Sequence, residues 1–138
     1  MSTLFSYQGM RQATGGSRTL LYVAGAYNFG AALILVLLAR VAPQWLGIDV
    51  LHAGQLLYVD LAALLICGFG LGYVLGGADL ARFWPFISLG ALCKAGVALL
   101  AAVYFLNGDA APLVMLLATG DAVFAILFVR LLRAHAAD

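Results

Sequence analysis

Along most of the chain the hydrophobic positions follow no period of two or of 3.6; they run on without a polar face. Four stretches, roughly 19–41, 56–76, 84–106 and 112–132, are apolar on all sides. A soluble helix keeps one polar face and a half-buried strand alternates, so neither pattern fits. A helix rising about 1.5 Å per residue needs about 20 apolar residues to cross a hydrocarbon core about 30 Å thick, and each stretch has that length. The prolines mark boundaries: Pro43 follows the first stretch, while Pro85 and Pro112 fall in the first turns of the third and fourth. A first turn tolerates a missing N–H. The intervening links, 42–55, 77–83 and 107–111, are short and carry polar residues or glycine, so consecutive helices are expected to run antiparallel. The pattern predicts an all-α membrane protein, an antiparallel four-helix transmembrane bundle over residues 19–134, with a polar arm at 1–18 and a tail at 135–138.

Composition strengthens this reading. Hydrophobic residues make up 65% of the 138 positions and charged residues 9%, far from the balance of a water-soluble domain. A net charge of +1 without any basic run excludes nucleic acid as an expected partner, leaving the lipid bilayer and other membrane proteins. Basic residues also set the orientation. Arg11, Arg18, Arg82, Arg130 and Arg133 fall on one side of the four stretches and Arg40 on the other, a bias from which both termini are expected on the cytoplasmic side. Trp45, Tyr58 and Tyr104 on the outer side, and Tyr22, Tyr73 and Trp84 on the inner, stand where interfacial aromatic belts are expected. The arm, with Leu4, Phe5 and Met10, is expected to lie along the membrane surface. The first stretch is too long for the core of a secretion signal and is expected to stay as an anchor.

Few residues carry chemistry. Lys94 lies about ten residues into the third stretch and Asp121 about nine into the fourth, matching depths if the helices alternate in direction. An ionised group at mid-bilayer costs about 2.5 to 3.5 kcal/mol on insertion scales, so two such groups are expected to meet inside the bundle. Asn28, with Tyr27 beside it, stands at the same level of the first stretch. This predicts an intramembrane polar cluster of Lys94, Asp121, Asn28 and Tyr27. Two uses are open: fixing helix register, or binding or proton exchange. Asp60, about one turn into the second stretch, is expected at the hydrated interface. Small residues are expected to pack helices closely: Gly68, Gly72 and Gly76 at every fourth position of the second stretch, with Ala91, Ala95 and Ala102 on the third.

Other chemistry finds no support. Cys67 and Cys93 belong to no CxxC or Cys/His set and read as packing residues. His52 and His135 fall on opposite sides and cannot share a metal or haem. Gly68, Gly70 and Gly72 sit within an apolar stretch rather than after a strand, which is packing and not phosphate binding. No cofactor of the chain's own is expected.

The segments GLGYVL (70–75), FISLGALCKAGV (86–97) and LATGDAVFAILF (117–128) resemble a group of small bacterial four-span membrane proteins. That resemblance covers about the second half of the chain and implies a recurring Lys in the third span and Asp in the fourth, here Lys94 and Asp121. The chain is also similar in architecture to the DoxX-like group, which implies an association with quinone-linked redox enzymes and no active-site residue. Short links leave almost no mass outside the membrane for catalysis. The leading expectation is therefore an accessory or assembly subunit, self-associating or docked on a larger membrane complex, and not an enzyme. The alternatives are a small oligomeric ion- or proton-coupled transporter using the Lys94–Asp121 pair, and a quinone-associated redox subunit.

Overall fold

The computed structural model describes residues 15–49 and 52–136, and over these the chain is four long helices without a strand. They are α1 (Gly15–Val41), α2 (Ala53–Ala78), α3 (Leu80–Leu106) and α4 (Pro112–Ala136). All four are long and apolar enough to cross a membrane. Large side chains such as Leu33, Leu64, Leu92 and Leu116 point outward on every helix, and the fully buried large side chains are Tyr73, Phe128, Leu21 and Ile87. An outside as apolar as the inside suits lipid as solvent and not water.

The helices are longer than the hydropathy runs that predict them. Residues 15–18, assigned above to the arm, form the first turn of α1, and His135, assigned to the tail, is still in α4. Residues 1–14, with Leu4, Phe5, Met10 and Arg11, lie outside the described residues. The second link shrinks to one residue: α2 ends at Ala78, α3 starts at Leu80, and the Asp79 carboxylate accepts a hydrogen bond from the Arg82 N–H at 3.1 Å. A carboxylate there satisfies a free amide and complements the helix dipole. Because α3 starts early, Pro85 falls in its second turn instead of its first. The first link contains a 3₁₀ turn, Pro43–Leu46, that hydropathy does not reveal. In the third, Gly108 takes φ +82°, a left-handed conformation that glycine adopts without a Cβ clash.

Packing divides the helices into two close pairs, α1 with α2 and α3 with α4; α2 meets α3 less extensively and α1 meets α4 at few positions. Glycines bring α1 and α2 together. A Cβ at Gly25 would stand 2.9 Å from the Gly70 carbonyl oxygen, and one at Gly70 would stand 3.2 Å from the Gly25 carbonyl oxygen. The expected stripe at every fourth residue is corrected accordingly. Gly72 and Gly76 do pack, with the Phe86 ring and the Ile87 side chain of α3 against them, but Gly68 is exposed and faces nothing within 4 Å. The positions that face α1 are Gly70 and Gly77. On α3, Ala91 is buried, Ala102 half-buried and Ala95 exposed, so Ala95 does not pack between these helices.

Candidate functional site

Where the two pairs face each other, the structure brings the four polar residues together. Lys94, near the middle of α3, donates from Nζ to the Asn28 side-chain oxygen at 2.8 Å and to Asp121 Oδ1 on α4. The Asn28 amide donates in turn to the Ile66 carbonyl of α2 at 3.1 Å. Tyr27 joins through its hydroxyl, which donates to the Leu117 carbonyl of α4. The tyrosine reaches that carbonyl over Gly120, whose missing Cβ leaves room for the ring. These four bonds connect all four helices at one level.

Aromatic rings enclose the charge. The Lys94 ammonium lies 5.3 Å from the Tyr27 ring centroid, 5.4 Å from Phe124 and 5.5 Å from Tyr73, inside the roughly 6 Å at which a ring face attracts a cation. Tyr73 is also the hub of the apolar core, edge-on to Phe128 at 4.9 Å and to Phe86 at 5.9 Å. Its hydroxyl rests against Gly90 of α3, where a Cβ would stand 2.6 Å from it. Tyr73 and Phe124 are the rings around Lys94 that the sequence reading did not assign to the cluster. The available signal was their spacing: Tyr73 sits one turn after Phe69 and Phe124 three residues after Asp121. Tyr73 is buried among core side chains, so it is not the interfacial belt residue expected above.

The cluster does not fill the space between the pairs. A cavity of about 360 Å³ ends on Asn28, Lys94 and Asp121, and its apolar wall includes Leu65, Ile66, Phe69 and Val97. Its size lies within the roughly 300 to 1,000 Å³ typical of small-molecule sites. Rim side chains are open to the surroundings: Leu65 of α2 is 67% exposed and Val97 of α3 49%. Both lie within helices long and apolar enough to span a membrane. At the floor the two charges differ, since the Lys94 side chain is 5% exposed and that of Asp121 20%. Cys93 also lines the cavity; both cysteines are free and half-buried.

Asp60 is not simply hydrated. It forms a two-pronged ion pair with Arg40 of α1, each bond 2.8 Å, at an exposed position. Arg40 is the basic residue that breaks the charge bias, and here an acid from the neighbouring helix answers it. His52 precedes α2, its backbone N–H held by the Gln55 side chain at 2.9 Å.

Four helices of this length and hydropathy around a central polar cluster mark the chain as a multi-pass membrane protein. No protein-family model, curated protein or solved structure matches it.

Proposed function

We propose that the chain is a bacterial inner-membrane four-span bundle whose centre binds a small lipid-soluble molecule. The carrying observation is the cavity of about 360 Å³ that ends on the Lys94–Asp121 pair and has Leu65 and Val97 at its rim. A pair that only fixed register would be expected to sit in close packing, because each void along a core forfeits contact energy. Here the Asp121 side chain stays 20% exposed and lines a largely apolar slot.

The proposal includes helices of alternating direction and both termini in the cytoplasm. Supporting the alternation are contacts in which numbers rise along α1 as they fall along α2: Tyr22 with Gly77, Asn28 with Ile66, Arg40 with Asp60. Supporting the orientation is the excess of Arg18, Arg82, Arg130 and Arg133 on one side, with the exception, Arg40, balanced by Asp60. An accessory subunit that holds such a ligand beside a larger membrane complex reconciles the cavity with the small mass outside the membrane.

Purification in mild detergent, followed by mass spectrometry of what stays bound, tests the reading. The comparison is with Lys94→Met/Asp121→Leu, which removes both charges at similar volume. The wild type should carry one discrete lipophilic species per chain that the folded double variant lacks. Equal retention by both, or a wild type carrying only bulk lipid, would overturn it.

A further inference from the structure

From the chemistry of the cavity floor we infer that the ligand is an amphiphile with an uncharged hydrogen-bond-donating head, such as a hydroxyl, which enters from the bilayer between α2 and α3. This rests on the binding-site reading above and specifies its ligand class. The floor presents one cation and one anion joined directly, so its net charge is zero. Lys94 directs two of its three N–H groups to Asn28 and Asp121, is buried, and has three aromatic rings around it. The Asn28 amide is committed to the Ile66 carbonyl. Of the two charged groups in the cavity the more accessible is therefore the Asp121 carboxylate, which when ionised only accepts hydrogen bonds.

Each charged head is disfavoured by one of the two residues. An anionic head would meet the Asp121 carboxylate before reaching the covered ammonium, and like charges brought together in an apolar site repel each other with little screening. A cationic head would compete with Lys94 for a carboxylate that is already paired. A neutral donor adds one hydrogen bond to a carboxylate oxygen and leaves the pair intact. The route follows from where α2 and α3 touch. Gly72 and Gly76 are closed by Phe86 and Ile87, whereas further along the two helices Leu65 and Val97 stand open at the rim. The apolar part then lies along Leu65, Phe69 and Val97, and a tail of any length extends past the rim into lipid.

The test places the full chain in phosphatidylcholine nanodiscs with equal mole fractions of dodecanol, dodecanesulfonate or dodecyltrimethylammonium, and counts bound molecules by native mass spectrometry. Dodecanol should be retained at one per chain, at least about tenfold over the other two. Asp121→Asn, which leaves Lys94 as the remaining charge, should shift the preference to the sulfonate. Because that variant risks unfolding, Val97→Phe provides a second arm: it narrows the rim without touching the polar cluster and should abolish retention of dodecanol. A wild type that prefers the sulfonate or the ammonium would overturn the head-group class and leave the binding site standing. Retention of none of the three would overturn both, and retention unaffected by Val97→Phe would overturn the route.

Discussion

At the scale of single residues, the consequence of the Lys94–Asp121–Asn28 arrangement is that no member is dispensable alone. Removing one partner of a buried ion pair leaves the other uncompensated, at a cost of about 3 to 5 kcal/mol, whereas removing both exchanges desolvation cost against lost attraction and is often near neutral. Lys94→Met should therefore lower unfolding stability in detergent by about that amount, and Lys94→Met/Asp121→Leu should recover most of it. Stability of the double variant below that of the single one would contradict the pairing. Tyr27→Phe removes one hydrogen bond, to the Leu117 carbonyl, and should cost on the order of 0.6 kcal/mol, the mean for such bonds in a membrane helix protein. The meeting of Lys94, Asp121 and Asn28 was legible because a charge in an apolar run has few tolerable places to go. Tyr73 and Phe124 were not, since an aromatic ring in such a run reads the same whether it faces lipid, an interface or the core.

Among the helices, glycine is where sequence pattern and packing part company. A repeat of four positions suggests one continuous face, yet on α2 Gly68 looks outward, Gly72 and Gly76 receive α3, and Gly70 and Gly77 receive α1. Spacing alone does not assign a face when the helix is apolar all round, because no polar side marks the outside. Substitutions should reveal the difference. Gly25→Ala puts a carbon against the Gly70 carbonyl and the Val74 side chain and should destabilise the bundle, while Gly68→Ala meets nothing and should be neutral or slightly stabilising. Gly72→Leu collides with the Phe86 ring and should loosen the α2–α3 contact. Thermal unfolding of the three variants in one detergent decides this; equal effects would mean that helix faces are assigned wrongly. The element boundaries were missed for a related reason. Hydropathy stops where polar residues begin, but helices continue through Ser17 and Arg18 at one end of α1 and through Arg133 and His135 in α4, where backbone hydrogen bonding still holds.

For the molecule as a whole, four apolar helices were legible because a bilayer imposes length and composition directly. The cavity was not, since it depends on how far α2 and α3 separate past their contact at Phe86 and Ile87. Topology is checked by reporter fusions: both termini should report the cytoplasmic side, and an external C-terminus would refute an even number of crossings. If the polar cluster serves a ligand from the lipid phase, the rim itself should contact lipid. A nitroxide placed at Val97→Cys, with Cys67 and Cys93 replaced by Ala and the protein in lipid bilayers, reads this through collisions with oxygen, which concentrates in lipid, and with a water-soluble nickel chelate. A rim that opens to lipid should give frequent collision with oxygen and little with the chelate; a nitroxide reached more readily by the chelate would mean that the cavity opens to water, and would contradict a ligand drawn from the bilayer.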